Sequence, residues 1–154
     1  MTDAPTIHAS AVLIGAKAVL IRGPSGAGKS RLAWDLIQAA ANSLIPFARL
    51  VADDRAFVEA TAGRLLVRPA PAIAGLIEIR GLGLRKTTYE ELAVVGLVAD
   101  LAASDAARLP AHDAENTVIS GISLPRIAVP AGADALALVH AWLATAPGTA
   151  FSEH

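Results

Sequence analysis

The chain has no cysteine among its 154 residues. That excludes a disulfide framework, a zinc ribbon and a thiol nucleophile. It also lacks any window approaching the roughly 20 apolar residues of a bilayer-spanning helix. Its longest stretch without Asp, Glu, Lys or Arg, residues 135–152, is broken by His140 and by Pro147-Gly148, so no membrane span is expected. The opening Met-Thr-Asp-Ala-Pro-Thr-Ile-His has neither the basic nor the apolar region of a secretory signal. With the missing cysteines, this reads as a cytoplasmic address. Charge of one sign is lacking too: 13 basic residues face 14 acidic ones, for a net charge of −1. Without a basic stripe to displace counterions, nucleic acid is not an expected partner.

What is abundant is small and apolar. Hydrophobic residues make up 54% of the chain and charged ones 18%, and 35 residues are alanine, a composition that folds rather than stays disordered. The length suits one domain over residues 1–154, with a core over about residues 7–145 and a flexible tail over 146–154. No repeat interrupts this, and no low-complexity linker beyond an Ala/Pro patch at residues 68–74.

Two β-leaning runs, residues 7–14 and 18–22, flank Gly15-Ala16-Lys17 as a hairpin whose second strand runs into Gly23. Residues 30–41 then place Leu32, Ala33, Leu36, Ile37 and Ala40 at helical spacing. Residues 47–52 form a short strand ending at Asp53-Asp54, and residues 56–60 and 65–68 a second hairpin about Thr61-Ala62-Gly63. Further strands are expected over residues 76–80, stopped by Gly81-Leu82-Gly83, over 94–98 after a turn at 88–91, and over 127–129. Asp134 is placed to cap a closing helix over residues 135–144. The fold class is a strand-rich α/β domain with few helices.

Gly23-Pro24-Ser25-Gly26-Ala27-Gly28-Lys29-Ser30 fits G-x-x-x-x-G-K-[ST] without a departure and lies between a predicted strand and a predicted helix. That context turns successive backbone N–H groups and the positive end of a helix toward a polyphosphate. Glycines let the loop curl around oxygens with no Cβ in the way. Lys29 would then carry charge to the β/γ-phosphates, and the Ser30 hydroxyl would ligate Mg²⁺. The blander alternative is a flexible Gly/Ser turn.

Asp53 and Asp54 follow an apolar run 24 and 25 residues after Lys29. Phosphoryl transfer to a hydroxyl uses one carboxylate near the metal and another to accept the hydroxyl proton. An acidic turn paired with Arg55 would look the same. Glu78 and Arg80 alternate with Ile77 and Ile79, which puts them on one strand face, suited to metal and phosphate or to an ordinary surface ion pair.

Taken together, the Walker loop, Leu50-Val51-Ala52-Asp53-Asp54 and above all Ile77-Glu78-Ile79-Arg80-Gly81-Leu82-Gly83 resemble the catalytic domain of bacterial HPr kinase/phosphorylase, over residues 7–144. The resemblance implies a P-loop kinase domain of the HPr kinase and phosphoenolpyruvate carboxykinase type. It implies ATP and Mg²⁺ as cofactors, an HPr-like phosphocarrier of a phosphotransferase system as the serine-bearing partner, and phosphorolysis by inorganic phosphate as a second activity. A homo-oligomer is expected on the same ground, since family members are commonly hexameric. Ser25, Gly26, Ala27, Gly28, Lys29, Ser30 and Arg80, with Gly23, inherit nucleotide contacts. Ser30, Asp54 and Glu78 inherit the metal side, and Asp53 the role of general base. His8 matches a family histidine near the phosphate site, and Arg108 loosely matches a catalytic arginine. The family's amino-terminal regulatory domain is expected to be absent, because the first strand starts near Ile7. Arg85-Lys86-Thr87 and Gly132-Ala133-Asp134 depart from its usual Ile-Asp and Gly-Arg-Asn. A P-loop kinase of a small metabolite and a non-catalytic ATP-sensing module are the competing readings. The paired aspartates favour an enzyme, since a sensor has no use for a spare base.

Overall fold

A computed structural model describes residues 6–145; the expected tail, 146–154, lies outside them. The opening strand β1 (Thr6–Ile7) pairs antiparallel with β5 (Ala56–Thr61). The predicted hairpin forms from β2 (Ala9–Ile14) and β3 (Lys17–Arg22), with Ala9 opposite Arg22 and Ile14 opposite Lys17. β3 is apolar on both faces because both are covered: Val19 and Ile21 face one buried cluster, Ala18 and Leu20 another.

The first helix, α1 (Lys29–Ala41), lays Leu32, Ala33, Leu36 and Ala39 onto the sheet. Strand β4 (Ala48–Ala52) pairs with β2, and β5 forms a hairpin with β6 (Arg64–Pro69). The nine-residue β9 (Ala93–Leu101) is the central strand. It pairs along one edge with β3 in parallel, and elsewhere with β6 at Ala93–Val94 and with β11 (Ile122–Val129) at residues 98–101. The sheet order is β1-β5-β6-β9-β3-β2-β4, with β11 and its partner β10 (Asn116–Ile119) branching from β9. The closing helix α2 (Ala135–Ala144) is capped as expected, the Asp134 carboxylate accepting from the Ala137 N–H at 3.1 Å. A strand-rich mixed sheet with two α-helices is therefore the architecture.

Two strands were not expected. β7 (Leu76–Ile79) ends before Gly81-Leu82-Gly83 as expected, but the chain turns there into β8 (Gly83–Lys86), forming a small hairpin apart from the main sheet. Every residue of β8 is exposed, so no apolar alternation marks it. Strand β10, of which only Thr117 and Ile119 are partly buried, was also not expected, and β11 begins five residues before the expected residue 127. Pro125, which argues against a central strand, is tolerated because it stands opposite Asn116, at the end of the β10 ladder and just before the β9 ladder begins at Arg126.

The directions matter for the site. β9 and β11 run parallel to β3, and β4, antiparallel to β2, runs the same way. Their carboxyl ends therefore gather Gly23, Asp53 and Asp100 along one edge of the sheet. Open α/β sheets bind ligands beyond such ends.

Candidate active site

The loop after β3 has the open, glycine-dependent backbone that a phosphate cradle needs. Gly26 and Gly28 have φ of 81° and 100°, the left-handed region that glycine adopts without strain, and a Cβ at either would meet only open space. Gly23 is required by crowding instead, since a Cβ there would lie 3.1 Å from the Leu101 carbonyl oxygen. Lys29 opens α1 and is buried; its Nζ donates to the carbonyls of Gly23 at 2.8 Å and Pro24 at 3.2 Å. No carboxylate pairs with it among the described residues. The ammonium thus sits over its own loop, with its charge available to an anion.

Asp53 and Asp54 are adjacent in sequence and opposite in environment. Asp53 is 6% exposed and takes hydrogen bonds from three directions. Ser30 Oγ donates to its two oxygens at 2.7 and 2.9 Å, Ser10 Oγ donates at 2.7 Å, and the Glu78 backbone N–H donates at 2.9 Å. Asp54 is left-handed at φ 69° and exposed. Its backbone is tied to the start of β2, the N–H donating to Ser10 Oγ at 3.2 Å and the carbonyl accepting from Ala9 N–H at 3.1 Å. The carboxylate is left facing the cleft.

That cleft has a volume of about 840 Å³, within the usual size of a small-ligand site. Gathered along it are Ser25 to Ser30, Asp54, Glu78 and Arg80, as expected, together with Arg31, Trp34, Asp35 and Ile79. His8 and Arg108 do not line it. His8 is an exposed bend residue next to Ala9, hence near Gly23 and the Asp54 backbone, and Arg108 is exposed on the loop after β9. Asp35 is pushed up by burial, with Asp134 adding to the shift and Arg31 opposing it.

The donor set fits a polyphosphate with a hard divalent cation. Ser30 Oγ and an Asp53 carboxylate are the oxygen ligands that Mg²⁺ takes in small number, completing its shell with water and phosphate. No cluster of three His, Cys, Asp or Glu stands among the described residues, so a metal would be held by few protein groups, as Mg²⁺ on phosphates is.

Sequence reasoning missed Ser10. It is fully buried, and its hydroxyl bridges Asp53 to the Asp54 N–H. Its one sequence signal is that it is the only hydroxyl in the apolar run of β2. Also unforeseen is a cluster of charges behind the loop. Arg22, the last residue of β3, makes two hydrogen bonds to Asp100 at 2.7 and 2.8 Å. Arg126 joins Asp100 at 2.5 Å to Asp105, held by two bonds at 2.8 and 2.9 Å, and also donates to the Ala114 carbonyl. Burial opposes ionisation of Asp100, but hydrogen bonds and charge from Arg22 and Arg126 outweigh it and hold the carboxyl below its usual range.

The family described as HPr Serine kinase C-terminal domain matches residues 1–144. An HPr kinase/phosphorylase of Exiguobacterium is 42% identical over 79 residues, covering 51% of this chain and 23% of the relative. One from Streptococcus pneumoniae is 28% identical over 148 residues, covering 84% of this chain and 43% of the relative. The chain thus spans less than half the length of these curated relatives. The solved Hpr(Ser) kinase/phosphatase from Coxiella burnetii superposes with a TM-score of 0.70 at 25% identity, over 91% of this chain and 88% of that one.

Proposed function

Because the chain belongs to the HPr Serine kinase C-terminal domain family, we propose that it is an ATP- and Mg²⁺-dependent protein-serine kinase acting on an HPr-like phosphocarrier. We propose further that it reverses the reaction with inorganic phosphate, and works in the cytoplasm where carrier and nucleotide meet. The observation that carries this reading is the division of the aspartates: one carboxylate buried against Ser30, its neighbour open to the cleft.

A bound Mg²⁺ would supply charge neutralisation for the phosphates. Ser30 Oγ and Asp53 would hold it, and Lys29 Nζ would leave the Gly23 and Pro24 carbonyls for the phosphates. Asp54 is the better general base. Its carboxylate has no hydrogen-bond donor of its own among the described residues, whereas the Asp53 oxygens are occupied. The assignment reverses the expectation drawn from the resemblance, which put the base on Asp53. As the serine oxygen bonds to the γ-phosphorus and the bond to the β-phosphate bridging oxygen breaks, Asp54 takes the serine proton. In phosphorolysis an oxygen of free phosphate bonds to the phosphoserine phosphorus as the bond to the serine oxygen breaks, giving pyrophosphate, and Asp54 passes the proton of the attacking phosphate to the departing serine oxygen. Arg80 at the cleft wall supplies charge for the phosphoryl oxygens.

The test is incubation with γ-labelled ATP and the cognate serine-bearing carrier. Label on carrier serine is expected, and Asp54→Asn should lower turnover roughly 10²–10⁴-fold with ATP affinity kept. Label on a small molecule, or intact ATP retained, would overturn the assignment. Phosphorylated carrier given phosphate without nucleotide should yield pyrophosphate. Orthophosphate release by hydrolysis would contradict a shared site.

A further inference from the structure

The nucleotide reading accounts for the loop end of the cleft but leaves its other wall unexplained. Arg31, Trp34 and Asp35 line it from α1, and Ile79 and Arg80 from the end of β7 and the turn after it. Spacing of three and four residues places the α1 trio on one face of the helix, and Arg31 and Asp35 make an i,i+4 ion pair at 3.7 Å. The inward stripe of α1, Leu32, Ala33, Leu36 and Ala39, already fills the core. Trp34 lies two residues from Leu36 and therefore nearly opposite it around the helix. A tryptophan there is not needed to complete that stripe. It is half-buried, packed in part against the core and in part open to the cleft.

We propose that Trp34 is the platform on which the nucleobase stacks. The inference rests on the nucleotide reading and adds to it the residue that tells a nucleotide from a bare polyphosphate. Phosphate needs are met at one end, by the loop N–H groups, Lys29 and Ser30. Four residues of helix rise put Trp34 about 6 Å along the axis from Ser30, in the same cleft. Among the described residues lining the cleft Trp34 is the only aromatic, and Ile79 is the only branched aliphatic side chain. A flat π-face flanked by an apolar side chain suits a planar base, and sequence-tolerant stacking is how aromatic side chains take bases generally. The Asp35 carboxylate on the same face is placed to accept from an exocyclic amine.

Titration with Mg²⁺-ATP and, separately, with Mg²⁺-tripolyphosphate tests this in the full chain. Trp34→Leu, which keeps apolar volume against the core, should weaken ATP binding about tenfold, the scale of one base–aromatic stack, and leave tripolyphosphate binding unchanged. Trp34→Phe should restore most of the loss. In a Trp142→Phe background, ATP but not tripolyphosphate should quench the remaining tryptophan fluorescence. ATP binding unaltered in Trp34→Leu would overturn the proposal. So would an equal loss for both ligands, which marks a structural role, or a rise confined to the KM for the carrier, which puts Trp34 on the acceptor side. Tight tripolyphosphate binding alongside any of these keeps the phosphate site and sinks the platform alone. If the wild-type chain binds neither ligand, the nucleotide reading itself fails, and the platform with it.

Discussion

Asp53 and Asp100 are carboxylates at the carboxyl ends of two strands that run the same way, on the same edge of one sheet, and the protein treats them oppositely. Around Asp53 stand two hydroxyls and a backbone N–H, all neutral donors. Around Asp100 stand two guanidiniums, each within 2.8 Å. Neutral donors orient a carboxylate and leave its charge uncompensated, so a cation can still be recruited. Guanidiniums cancel the charge and close the site. The contrast separates a carboxylate held by neutral donors, which we propose serves the chemistry, from one that joins elements through ion pairs. Arg126 connects β9 and β11 to the loop carrying Asp105, and Arg22, the residue before the phosphate loop, is anchored to Asp100 of β9.

The sharpest way to break this comparison is at Asp53. Asp53→Asn should cut turnover roughly a hundredfold or more and raise the Mg²⁺ concentration needed, because the metal loses its charged ligand. The urea midpoint should move little, since no cation is left unpaired. A large loss of stability without a change in Mg²⁺ dependence would make Asp53 a structural residue like Asp100.

The converse test is Arg126→Ala. Arg126 is 12% exposed and its removal strips Asp100 of one partner and Asp105 of its pairing. We expect a loss of about 2 kcal/mol by denaturant unfolding, the scale of hydrogen bonds to a partly buried charged group such as Asp100, with Mg²⁺ dependence unchanged. A turnover defect with stability intact would show that this cluster acts on the chemistry.

The smallest effect is in acid. The Asp100 pKa is lowered in the folded protein, so its contribution to stability is complete above the unfolded value, near 3.9, and is lost as pH falls through the lower folded value. The stability difference between wild type and Asp100→Asn should therefore be constant from pH 7 to about 5 and shrink below about 4. A difference that grew in acid would reverse the sign argued here.

Local features were the legible ones. The phosphate loop, α1 and its inward stripe, the Asp134 cap and the β2–β3 and β5–β6 hairpins each rest on residues close together in sequence. What escaped rests on residues far apart. β8 carries no apolar alternation, Pro125 conceals the start of β11, and Trp34 reads as one more apolar residue until the β7–β8 hairpin is seen across the cleft. His8 and Arg108 were carried by resemblance alone, and neither reaches the cleft lining.

By itself, then, the sequence determined that a glycine-rich loop would stand between a strand and a helix, and that two carboxylates would end a nearby strand. Turn geometry, helix periodicity and strand alternation act over a few residues, and a single chain displays them directly. Only the tertiary structure decided which carboxylate faces which way. Ser10 lies 43 residues from Asp53, and Arg22 lies 78 from Asp100. Those pairs meet because sheet register aligns strands distant in the chain. The left-handed turn at Asp54 sends one carboxylate inward to neutral donors and its neighbour outward to the cleft, a choice made by the partners the assembled sheet provides.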